Sequence, residues 1–83
     1  MKIRETILTA MREVAHESEK SLAEPITDDS ALLQFGLDSM DFAIVVARLE
    51  REFGDDPFAS LEDAVYPTTF SQFLAIYEDH FLK

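Results

Sequence analysis

Two stretches of this chain space their apolar residues identically, and that spacing limits the fold more than any other feature. Phe42, Val45, Val46, Leu49 and Phe53 fall at i, i+3, i+4, i+7 and i+11, and Phe70, Phe73, Leu74, Tyr77 and Phe81 repeat the series. At roughly 3.6 residues per turn, each set lies within about 60° of one direction, so each reads as a helix with one face to bury. Ile3, Ile7, Ala10, Met11 and Val14 form a third apolar face, while Lys2, Glu5, Arg12, Glu13 and Glu17 fall largely elsewhere, which predicts a first helix over residues 2 to 17.

Capping residues place the ends. Asp38 stands ahead of the second helix as an N-cap and Gly54 follows Phe53 as a stop, so that helix reads Ser39 to Phe53. Thr69-Phe70-Ser71-Gln72 has the form of a capping box and opens the last helix. Ser60-Leu61-Glu62-Asp63 has the same form with Asp in place of Glu, and predicts a short helix over residues 61 to 65 that Pro67 ends. Asp55-Asp56-Pro57-Phe58 reads as a turn, and residues 18 to 38 read as a long ordered loop pinned by Leu32, Leu33 and Phe35. With no strand pattern of useful length, the predicted fold is all-α: a small four-helix bundle, three longer helices and a short one, in one domain over residues 1 to 83.

Size and charge exclude several functions. A chain of 83 residues buries only roughly 60 to 65% of its unfolded surface and has no room for a deep cleft. A formal charge of -10 repels nucleic acid and anionic lipid and favours partners with basic docking surfaces. Without cysteine there is no disulfide or thiolate metal site, and no apolar run approaches a membrane span or a signal segment. The chain is expected to be soluble, unprocessed, monomeric and cytoplasmic.

The second helix begins with the one residue singled out for chemistry, Ser39, in Gly36-Leu37-Asp38-Ser39-Met40-Asp41-Phe42. An Asp-Ser pair at a helix start is also an ordinary capping pattern. A hydrolase would need a base beside Ser39, an oxyanion hole and a pocket, and neither His16 nor His80 is near it in sequence. An EF-hand is excluded because neither Asp28-Asp29 nor Asp55-Asp56 starts the required run of ligands. An acidic helical interaction module would share nearly every feature except the need for Ser39.

Gly36-Leu37-Asp38-Ser39-Met40 at the start of a helix, the long loop before it, and the Leu49-Glu50-Arg51-Glu52-Phe53-Gly54 tail together resemble the acyl carrier proteins. That resemblance implies a 4'-phosphopantetheine arm, moved from coenzyme A onto Ser39 by a phosphopantetheinyl transferase, with Asp38 and Met40 flanking the attachment point. The arm's thiol would carry acyl groups as thioesters between acyl-loading and acyl-transferring enzymes, in fatty acid or other lipid metabolism, and the protein itself would not be an enzyme. Gly36-Leu37-Asp38-Ser39 departs from the usual peptidyl-carrier pattern and points to the acyl branch.

Opposite the apolar face of the second helix lie Met40, Ile44, Ala47, Arg48 and Arg51, with Asp41 beside them, and these residues are expected to meet partners. Fatty-acid carriers are typically acidic on that face. The Met40–Ile44 strip flanked by arginines therefore suits a dedicated partner in a specialised pathway, unless Arg48 and Arg51 simply pair with Glu50, Glu52 or Asp41.

Overall fold

The computed structural model describes residues 2–60 and 67–82. Helix α1 runs Ile3–Glu17, α2 runs Ser39–Phe53 and α3 runs Phe70–Phe81, with a 3-10 turn at Leu32–Gln34 in the first loop and another at Pro57–Ser60. The three longer helices thus stand where the apolar spacing places them. The short helix predicted over 61 to 65 lies outside the described residues, as does all of its predicted cap after Ser60. Asp55-Asp56-Pro57-Phe58 does turn, with Phe58 N–H donating to Asp56 Oδ1, and the chain then tightens into the second 3-10 turn.

Each helix buries the stripe its sequence marks. Ile3, Ile7, Ala10, Met11 and Val14 of α1, Val45 and Leu49 of α2, and Phe70, Phe73, Leu74 and Tyr77 of α3 form one core, with Phe42, Val46, Phe53 and Phe81 half-buried against it. Aromatic rings link the core along its length: Phe35 meets Phe42 at 6.0 Å, Phe42 meets Phe73 at 5.9 Å, Phe73 meets Tyr77 at 5.3 Å, and Phe53 meets both Tyr77 and Phe81. These edge-on and tilted contacts satisfy the ring quadrupoles as well as burying area.

The first loop is anchored by Leu32, Phe35 and Leu37, all buried, but not by Leu33, which is exposed. The 3-10 turn explains the difference. Residues three apart eclipse in that geometry, so Leu32 and Phe35 share the inner face and Leu33 is turned out. The loop then seats on α3: Leu32 N–H donates to Thr68 O, and the Ser30 and Asp28 carbonyls accept from Phe70 and Ser71 N–H. Two otherwise unpartnered donors at the start of α3 are satisfied this way. Thr69 caps α3 by accepting from Gln72 N–H, while the Gln72 side chain returns to Thr68 N–H, one residue earlier than a full capping box.

Gly54 closes α2 at φ 81 with its N–H on the Glu50 carbonyl, and no atom lies within 4 Å of the position an added Cβ would take. Any cost of replacing it is therefore backbone strain alone. Gly54→Ala should lower unfolding free energy by about 1 kcal/mol in urea denaturation without changing the denaturant slope.

Candidate functional site

Ser39 opens α2 at the surface, and the hydrogen bonds that shape its turn bypass it. Asp38 takes an extended backbone and accepts from Asp41 N–H at 2.9 Å, and Asp41 Oδ2 accepts in return from Asp38 N–H at 3.0 Å. Two carboxylates thus make a reciprocal capping box around the serine, where negative charge also suits the helix dipole. Asp38 is the cap, as its position predicts. Asp41 as its reciprocal partner is not anticipated, although the Asp-x-x-Asp spacing is visible in the sequence.

Asp41 is also where the structure departs from the predicted partner face. Its carboxylate is buried rather than presented outward, and buried charge needs partners. It has them: besides Asp38 N–H, Lys20 Nζ lies 2.5 Å from Oδ2 and Ser18 Oγ donates to Oδ1 at 3.2 Å. Lys20 also reaches Asp38 Oδ2 at 3.0 Å. The Lys20 ammonium, followed by the Asp38 N–H, holds the Asp41 carboxyl down to about 2 against its burial. The same two carboxylates raise the Lys20 ammonium above its ordinary value.

Lys20 arrives there because α1 ends in a Schellman-type turn. Glu19 adopts φ 57, its N–H bonds to His16 O, and Lys20 N–H bonds to Ala15 O at 2.8 Å, which reverses the chain toward α2. Nothing in the spacing marks Glu19 for a left-handed position that glycine usually takes. The available signal for Lys20 is that it is the only basic residue between 18 and 38, close to a cluster of acids in need of a counter-charge.

The remaining candidates separate. Met40 is 74% exposed and Ile44 42%, and Ala47 and Arg51 are exposed as well, so these four lie on the open side of α2. Leu33, at 61%, is a further exposed apolar residue, on a shallow hollow lined with Gln34, Gly36, Leu37, Asp38 and Ser39. Arg48 is diverted from that side. Its guanidinium pairs with Glu17 and more distantly with Glu13, both on α1 and neither among the partners considered from sequence. His80 bonds Asp55 Oδ2 at 2.7 Å and lowers that carboxyl's pKa; it joins the last turn of α3 to the loop after α2.

The depressed Asp41 value carries a signed consequence. A carboxyl held below its unfolded value, ordinarily near 3.9, stabilises the fold above that pH and loses the contribution as pH falls through about 2. Wild type should exceed Asp41→Asn in unfolding free energy at pH 5, and the gap should close between about pH 4 and pH 2 in paired urea titrations.

Comparison with known families agrees with this geometry. A family model described as "Phosphopantetheine attachment site" matches residues 5–61, which covers more than half of the chain and includes most of α1, the loop and all of α2. Neither the curated proteins nor the solved structures yield a match. Domains of the matched family are non-catalytic carriers that hold 4'-phosphopantetheine covalently and work with a phosphopantetheinyl transferase and partner enzymes. With a capped helix start that leaves a serine open to solvent, and a family match spanning that start, the chain belongs to the phosphopantetheine-attachment family of carrier proteins.

Proposed function

We propose that Ser39 takes the phosphopantetheine arm and that the chain carries acyl groups as thioesters for a specialised biosynthetic pathway. The observation that carries the first half is the division of labour at the α2 start. Asp38, Asp41, Lys20 and Ser18 hold the turn together, and Ser39, exposed in their midst, has no part in their bonds. The residues present fit the group. A phosphate ester on the first residue of α2 would sit by the positive end of the helix, and a linear arm could leave over the hollow beside Leu33 without displacing core. When bound, the arm supplies a thiol in a chain that has no cysteine of its own.

Incubation with coenzyme A, magnesium and a promiscuous transferase should add one arm to wild type and none to Ser39→Ala, read by intact-mass spectrometry. Ser39→Ala should keep its helical circular dichroism, since its hydroxyl makes no hydrogen bond among the described residues. An unmodified wild type would leave only an acidic helical interaction module, and an arm on Ser39→Ala would move the attachment point.

The acyl branch is supported by Leu37 before Asp38-Ser39, and the specialised pathway by the open side of α2. Met40, Ile44 and Ala47 present an apolar strip with Arg51 at its end, which matches an apolar partner surface better than a basic one. Arg48 drops out of this strip because it straps α2 to α1, and reversing its charge would set a carboxylate against Glu17. The informative variant is therefore Ile44→Glu/Arg51→Glu. In acyl-loaded form it should be turned over several-fold faster than wild type by enzymes of general fatty-acid synthesis. Equal turnover of wild type and a housekeeping carrier would remove the specialised reading.

A further inference from the structure

The segment from Ser18 to Ala23 bonds to α2's start on both sides of Ser39. After Ser39, Ser18 and Lys20 hold the Asp41 carboxylate; at the cap before it, Lys20 holds Asp38. Further back, Ala23 N–H donates to Phe35 O at 2.8 Å, and the Ser21 carbonyl lies so close to Gly36 that a Cβ there would collide with it. Gly36 also holds φ 122, a region that side chains rarely adopt. The glycine ahead of the serine therefore has two duties: it turns the chain, and it leaves room for this strap.

We propose that Lys20 is a positioning residue for attachment at Ser39, acting through a strap seated on Gly36 that fixes the serine-bearing turn for phosphoryl transfer. The inference rests on the Ser39 reading above. In that transfer the Ser39 oxygen forms a bond to the phosphorus next to the pantetheine of coenzyme A, and the pyrophosphate P–O bond breaks. Adenosine bisphosphate leaves with the electron pair, and the hydroxyl proton passes to a base on the transferase or to water. The attacking oxygen must lie in line with the leaving oxygen, and small misplacements of a reacting atom are costly in rate. Without Lys20, Asp38 and Asp41 face each other with no counter-charge, and the buried carboxylate is left under-partnered. The turn then has reason to open, and with it the placement of Ser39. The ammonium also offsets carboxylate charge at the place where an anionic phosphodiester must form.

The test is steady-state transfer from coenzyme A by one transferase onto the full chain, with kcat and KM separated. Lys20→Met should lower kcat by about tenfold or more with KM within about twofold, because Met40 and Ile44 on the docking side are untouched. Lys20→Arg, which keeps charge and donors, should restore most of the rate. Gly36→Ala dislodges the strap by a backbone route and should reproduce the kcat loss, and the double variant should be little worse than either single one, as expected of residues acting as a unit. Val46→Ala, a core truncation away from the strap, should lower Tm while leaving kcat in place. The proposal is overturned if Lys20→Met is modified at the wild-type rate, if its loss appears only in KM, or if Val46→Ala at matched Tm loses as much kcat. A Ser39→Ala chain that still gains an arm would instead overturn the attachment assignment, so the two failures are distinguishable.

Discussion

A carboxylate taken almost out of water at the first turn of a helix demands compensation, and the Asp41 side chain obtains it from three groups on two stretches of the chain. Its ligands are the ammonium of Lys20, the hydroxyl of Ser18 and the backbone of Asp38. Each bond constrains a different element: Ser18 the end of α1, Lys20 the start of the loop, Asp38 the entry to α2. Removing one partner would leave a buried charge under-satisfied, which costs more than a surface pair of the same geometry would contribute. The order of the site end therefore comes from polar satisfaction, whereas the rest of the molecule is held by apolar burial.

That contrast divides the protein along its length. From Phe35 through Phe42 and Phe73 to Tyr77, Phe53 and Phe81, rings pack on rings, and α1 closes over them with aliphatic side chains. At the α2 start the core gives way to charged groups, and immediately outside them Leu33, Met40 and Ile44 are left uncovered. Exposed apolar side chains beside a rigid polar turn suit a carrier. On the proposed reading, the turn would hold the attachment point still, while partners that must bind and leave would gain contact area from a few side chains without requiring the fold to open.

The helices were legible in spacing and caps alone. Ser39–Phe53 stands as predicted, α1 begins one residue later than expected, and Phe70–Phe81 covers the aromatic repeat. What spacing could not supply was contact between distant segments. Arg48 has acids on its own helix within reach, yet its guanidinium is taken by Glu17 across the helix interface. Asp41 falls near the outer face by sequence but is turned inward by a lysine 21 residues earlier. An apolar residue in a loop ordinarily anchors it, which predicts a core position for Leu33; the 3-10 geometry of its turn decides otherwise. The placement of Ser39 at an exposed helix start was legible for a different reason, since caps define the backbone position of a first-turn residue locally.

The bonds from Leu32, Ser30 and Asp28 to Thr68, Phe70 and Ser71 carry a consequence for dissection of the protein. The loop that leads to Ser39 borrows its hydrogen-bond partners from the beginning of α3, and α3 in turn borrows the loop's carbonyls in place of a full cap. The stretch matched to the family ends at residue 61, ahead of that exchange. A fragment cut at this limit would retain the serine and both flanking aspartates but strand the loop's anchoring groups in water and strip the aromatic half of the core. The smallest portable carrier unit, for grafting into a fusion or a chimeric assembly line, must therefore extend through α3.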